Sequence, residues 1–199
     1  MNVSDMTAEL RILTLPEPEV PAELKLQVAE LQDLAWPGPP GPSGGPVHDP
    51  ALCPVSLLLL DGARVVAALD VLSKELVHAG RTYAASGLST VVTDPACRGL
   101  GYGRRLVAAA RDAAREGGAD LGLFTCDRGL RGFYESAGWA VLPGAVLVGG
   151  TAEEPFPSDR EGFDKVTMAA FFTAHAERHR VDFPHSRIAL HPGAIDRLW

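Results

Sequence analysis

The stretch DPACRGLGYGRRL, Asp94–Leu106, sets glycines at 99, 101 and 103 between a proline and a pair of arginines. Glycine tolerates positive φ and, having no Cβ, lets a ligand come up to the main chain. Three of them at alternate positions lay bare a run of backbone amides. The apolar segment before this turn ends at Thr93, and an alanine-rich segment follows over 103–116, with Leu106, Ala109, Ala110 and Ala113 on one helical face. Strand, bare turn and helix start in that order make an anion site, because first-turn N–H groups have no intrahelical partner and the helix dipole is positive there. Arg98, Arg104 and Arg105 add charge beside it. The spacing excludes two nucleotide loops. A dinucleotide fingerprint counted from Gly99 needs its third glycine one residue beyond 103, and a Walker A loop needs Gly-Lys before Ser or Thr.

Working outward, Arg11–Leu15 reads as a strand, and AELKLQVAELQDLAW after Pro21 as an amphipathic helix with Leu24, Val28, Leu31 and Leu34 on its packed face. The proline- and glycine-rich residues 37–46 suit neither helix nor central strand and read as a long irregular loop. VSLLLLDGARVVAALDVL folds back at Asp61-Gly62, a strong hairpin signal, and Arg81–Thr93 continues the meander. Downstream, DLGLFTC reads as a buried strand, GLRGFYESAG as a short helix, WAVLPGAVLVGG as one strand and DKVTMAAFFT as another. TAEEPFPSDREG reads as a polar loop, and the segment from His175 to Trp199 as an irregular tail. The expected fold class is α/β, a single mixed, mostly antiparallel sheet flanked by helices. One domain over 1–199 is expected, with its core at about 11–172 and a tail packing on or near a substrate pocket.

A formal charge of −7 argues against a general nucleic-acid binder, which needs a basic face, and suits a cationic small molecule. Cys53, Cys97 and Cys126 are far apart and form no C-x-x-C pair, so neither zinc nor a disulfide framework is indicated. His175 and His179 stand at i, i+4 without a third ligand, so no metal is expected. No signal-peptide pattern opens the chain and no apolar run approaches membrane-spanning length, so a cytoplasmic protein with no membrane partner is expected.

VVTDPACRGLGYGRRLV resembles motif A of the GCN5-related N-acetyltransferase (GNAT) superfamily, with Arg98, Gly101 and Gly103 at the signature places. GFYESAGW, Gly132–Trp139, resembles the motif B that follows it. The resemblance implies the GNAT fold, with strands splayed at the acyl-CoA site, and acetyl-CoA as co-substrate. Carried over by position, Arg98, Gly99, Leu100, Gly101, Tyr102, Gly103 and Arg104 hold the pyrophosphate, and the main chain of Val91, Val92 and Thr93 takes the pantetheine. Tyr134 matches the acid that protonates the leaving thiolate. Ser89 stands where many relatives carry a glutamate base, and a hydroxyl there orders a water rather than accepting the proton itself. Asp70, Asp127, Asp196 and the carboxylate of Trp199 are other carboxylates that could serve. In order and spacing, the hairpin, the strand GRTYAASGLSTVV, the segment from Gly144 to Gly162 and the closing DRLW are loosely similar to aminoglycoside 2'-N-acetyltransferases, which implies substrate binding by Asp196 and Trp199. Asp49, Glu153, Glu154 and Asp159 would complete an acidic rim around a polycation. The implied reaction is direct acetyl transfer to a primary amine of a small molecule in a ternary complex. A non-catalytic acyl-CoA-binding or sensing module and a protein N-acetyltransferase remain alternatives. Strand-exchanging dimers are frequent in the family, so a homodimer is also among the expectations.

Overall fold

The computed structural model describes residues 10–37 and 47–199. Most of the proline-rich segment expected to be an irregular loop lies outside the described residues. The chain runs β1 (Leu10–Pro16), α1 (Ala22–Ala35), β2 (Val55–Asp61), β3 (Arg64–His78), β4 (Arg81–Thr93), α2 (Tyr102–Glu116), β5 (Leu121–Asp127) and α3 (Arg131–Ser136). It continues through β6 (Ala140–Val141), β7 (Val146–Gly150), β8 (Pro155–Pro157), β9 (Lys165–Phe171), α4 (Ala174–Arg178) and β10 (Arg187–Ala189). A seven-stranded sheet has the order β1-β2-β3-β4-β5-β9-β6, and a three-stranded sheet the order β10-β7-β8. In the large sheet only β4 and β5 are parallel. The architecture is thus the expected mixed, mostly antiparallel sheet flanked by helices.

Side-chain alternation sorts the core into layers. Leu57, Leu59, Ala67 and Leu69 point to one face, where they meet Leu106, Val107 and Ala110 of α2 together with Tyr134 and Trp139. Leu58, Leu60, Ala68 and Val92 point to the other, where Leu31 of α1 lies. Further along that second face Leu76, Tyr83, Leu121 and Leu123 pack under the small sheet, against Leu147, Phe183 and Ile188.

Four readings of the sequence are revised. The segment TAEEPFPSDREG is not loop throughout, since Pro155–Pro157 pairs with β7 as β8. Trp139–Gly150 forms two strands, since Pro143 lacks a ladder donor and Gly144 takes a φ of 64°. The tail carries α4 and β10, the latter paired in parallel with β7 from Arg187↔Val146 to Ala189↔Val148. Leu34 is 64% exposed, because α1 meets the sheet mainly through Leu24, Val28 and Leu31.

A close contact fixes β5 against motif B. A Cβ on Gly122 would stand 2.6 Å and 2.7 Å from ring atoms of the buried Trp139, which is itself packed edge-on against Phe124. Gly122→Ala should therefore lower unfolding stability by about 1–3 kcal/mol, whereas Gly129→Ala, which meets open space, should change it by less than about 0.5 kcal/mol. Urea denaturation of both variants checks this, and equal midpoints would refute the contact.

Candidate active site

The site begins where β4 stops behaving as an ordinary central strand. On the β3 side the register slips between Ala68↔Val92 and Asp70↔Ser89, so Thr90 and Val91 oppose the single residue Leu69. This is a β-bulge, and Thr90 takes a φ of 49°, an uncommon conformation for a β-branched residue. On the other side β4 pairs with β5 only at Ala85↔Leu121 and Ser86↔Gly122. Past that point the two strands separate and leave a gap.

Beyond Thr93 the chain turns through Asp94, whose carboxylate accepts the Ala96 N–H at 2.8 Å and is paired with Arg64. Gly99 and Gly101 then take φ values of 81° and 80°, and Gly101 is the N-cap of α2. Gly103 serves a different need. A Cβ there would stand 2.7 Å from Thr93 Oγ1 and 3.2 Å from the Phe133 ring, so its absence lets α2 sit directly on the end of β4. The first-turn amides of α2 consequently face a groove of about 740 Å³.

Nine of the ten residues assigned from sequence to cofactor binding line this groove: Val91, Val92, Thr93, Arg98, Gly99, Gly101, Tyr102, Gly103 and Arg104. Leu100 does not; its side chain is 61% exposed and borders a neighbouring depression on the far side of the turn. Tyr134 lines the opposite wall with Phe133. It packs edge-on against Phe124 and Phe133 at ring separations of 4.9 Å and 5.0 Å. Burial, and then the neighbouring Cys126 and Asp127, push its phenol well above the ordinary value. It is therefore protonated at neutral pH, a proton donor and not a base. Burial likewise pushes the Cys126 thiol up to about 11, which leaves it un-ionised and a poor nucleophile. Cys97 also borders the groove.

Ser89 is buried on the opposite face of the sheet, beside a polar cluster the sequence did not reveal. His48 Nδ1 donates to Asp196 Oδ1 at 2.6 Å and His48 Nε2 to Asp70 Oδ2 at 3.1 Å. Asp70 also accepts from Ser56 Oγ at 2.5 Å and from Thr90 Oγ1 at 2.7 Å. Asp196 Oδ2 accepts the Asp49 N–H at 2.9 Å. Burial alone would pull the imidazole down, but its hydrogen bonds to Asp196 and Asp70, with their charges, outweigh it and hold His48 at about 9. Burial pushes Asp70 up, and the hydrogen bonds from His48, Ser56 and Thr90 bring it below the ordinary carboxylate value. The one available hint was Asp70 itself, an acid inside the apolar run VVAALDVL.

Trp199 lies on that same second face. Its ring covers Gly87, where a Cβ would stand 2.7 Å both from the indole and from the Leu123 carbonyl oxygen. The tail thus covers the place where β4 and β5 begin to part. Of the other carboxylates, Asp49 adjoins the cluster through its main-chain N–H on Asp196. Asp127 pairs with Lys165, Asp159 pairs with Arg187, and Glu153 and Glu154 are exposed. Among the described residues no cluster of His, Cys, Asp and Glu is arranged to hold a metal ion, and no helix is long and apolar enough to cross a membrane.

Solved structures share this fold. ElaA of Escherichia coli superposes with a TM-score of 0.58 at 17% identity, covering 81% of this chain and 99% of its own. An acyl-CoA N-acyltransferase from Pseudomonas aeruginosa gives 0.58 at 16% identity, over 81% and 99%. A Trypanosoma brucei acetyltransferase gives 0.51 at 21%, over 65% and 92%. At such identities these likenesses speak for the fold alone. No curated protein matches in sequence. The family model described as an acetyltransferase (GNAT) domain matches residues 22–142. Its match takes in more than half of the chain, from α1 through the splayed strands and the glycine turn to motif B, and the chain therefore belongs to the GNAT acetyltransferase family.

Proposed function

We propose that the protein transfers an acetyl group from acetyl-CoA to a primary amine of a small molecule, by direct attack in a ternary complex. The observation that carries this is the groove, which joins an anion-binding helix start to an unpaired strand edge. Two left-handed glycines, the first-turn amides of α2 and the exposed guanidinium groups of Arg98 and Arg104 suit a diphosphate. The Val91–Thr93 edge, which makes no ladder pairs with β5, suits the amide-bearing pantetheine arm as an added strand.

The chemistry follows from holding both reactants at the gap. The amine nitrogen bonds to the thioester carbonyl carbon, the C–S bond breaks, and the thiolate takes a proton from Tyr134 Oη. The amine gives up its proton to a water ordered at Ser89, a proton from solvent restores the Tyr134 phenol, and the products are an amide and a free thiol. Amides fixed in place need no reorganisation as charge develops, and proximity supplies much of the remaining acceleration. Asp70 is a poor base at its lowered value and its oxygens are already occupied, which favours water as the immediate acceptor.

The acceptor approaches from the face that carries Ser89 and Trp199. Asp196 acts there through the tail, since both its oxygens are engaged within the protein. A net charge of −7 supports a cationic acceptor, and an aminoglycoside-like polyamine is one such class. The same reading takes no nucleic-acid or membrane partner, allows a homodimer, and places the protein in the cytoplasm, as the three free thiols favour.

Calorimetric titration with acetyl-CoA should give a dissociation constant between about 1 μM and 1 mM, with thiol release on part of an amine panel. Absence of binding would refute the proposal; binding without turnover on any amine would point to an acyl-CoA sensor instead. Tyr134→Phe should lower kcat by about 10- to 1000-fold with acetyl-CoA affinity unchanged. An unaltered kcat would remove Tyr134 from the chemistry.

A further inference from the structure

The buried polar cluster on the second face belongs to neither the groove nor the reaction as described. We propose that His48, by bridging Asp70 and Asp196, is a positioning residue for the acceptor half of the site: it sets the Thr90 bulge and docks the tail bearing Trp199 without touching either substrate. The proposal rests on the acetyltransferase reading for its kinetic consequence but on geometry for its structural one.

Five segments meet in this cluster. His48 lies in the segment before β2, Ser56 on β2, Asp70 on β3, Thr90 on β4 and Asp196 in the tail, 148 residues from its partner. Each ring nitrogen faces a carboxylate oxygen, so the cluster is satisfied only when both nitrogens carry protons. At neutral pH it holds two negative charges and one positive charge, with the ring almost wholly out of solvent. An apolar trio of the same size would cost less to bury, so stability alone is a weak reason for it. What it touches gives a better one. Thr90 keeps its left-handed backbone while its hydroxyl donates to Asp70, and Thr90 opens the bulge that leads into Val91–Thr93. Asp196 carries the other effect, since its carbonyl accepts the Trp199 N–H at 3.2 Å and the indole covers Gly87.

The charged surroundings define how the pin responds to pH. Asp70 faces the ring from β3 and Asp196 from the tail, while Ser56 and Thr90 from β2 and β4 are neutral. On its own segment the Asp49 carboxylate is committed to the Ala51 N–H. Lys25 and Glu17, paired at 2.9 Å, border a small cavity onto which Asp70 and Ser56 open. Because His48 is raised from 6.5 to about 9, its contribution is fully present below about 6.5 and is lost as pH rises through about 9. Loss of that proton leaves two buried carboxylates with one N–H between them, which frees the tail.

The test uses the full chain with His48→Gln and Asp196→Asn. Release of Trp199 by a carboxypeptidase, normalised to a free peptide ending in DRLW, should rise at least about tenfold in both variants at neutral pH, the expected size for losing a charged hydrogen bond. In the unaltered protein the same release should climb between about pH 8 and pH 10, around the His48 value, and His48→Gln should be fast throughout. With an amine that is turned over, His48→Gln should raise acceptor KM at least about tenfold, with a clearly smaller loss of acetyl-CoA affinity transmitted through the Thr90 bulge. Tail release that stays flat to about pH 10 in the unaltered protein overturns the pin without needing any variant to fold. Equal losses in acetyl-CoA and acceptor binding overturn it as well, by showing a general structural role. If no amine is acetylated, the acetyltransferase reading fails while tail release still decides for or against His48.

Discussion

The parting of β4 from β5 after two paired positions governs the rest of the molecule. A parallel pair that separates inside a sheet leaves main-chain donors and acceptors that must find other partners, since a buried unpaired amide is costly. One face answers with a groove that runs along the free edge of Val91–Thr93. The opposite face answers by covering the start of the gap with an indole. The bulge at Thr90 lets β4 bend away while its ladder with β3 continues on both sides of it. The divergence, the bulge and the close seat of α2 on Thr93 are thus one structural solution, not three features that happen to adjoin.

Much of this was legible because it depends on local signals. Asp61-Gly62 sits at the hairpin between β2 and β3, and β4 covers Arg81–Thr93 as its residue pattern indicates. One wall of the groove could be read from sequence because it is built from one continuous segment and the strand before it. Tyr134 could be placed by a second motif nearby. What stayed hidden is non-local. The pairing of β10 with β7 joins residues some forty positions apart, and three-residue strands carry no periodicity of their own. His48 stands beside a proline-rich loop and gains meaning only from carboxylates at positions 70 and 196. Leu34 was misassigned for a related reason: a helical stripe shows which side of a helix is apolar, not how far along it the sheet extends.

The two faces also differ in how they use charge. On the groove side positive charge is exposed, on the guanidinium groups of Arg98 and Arg104. On the other face His48 is buried between two acids, and Lys74 is held by the Leu190 and His191 carbonyls. Exposed cations contribute attraction that salt screens, whereas a buried trio contributes geometry that salt hardly touches.

The glycine turn has a consequence for how such a protein can diverge. A wall made of main-chain amides constrains φ at Gly99 and Gly101 and free space at Gly103, but it asks little of the side chains around them. Substitutions can accumulate there without disturbing the recognition surface, as long as the torsions survive. Recognition of that kind is written in torsions more than in residue names.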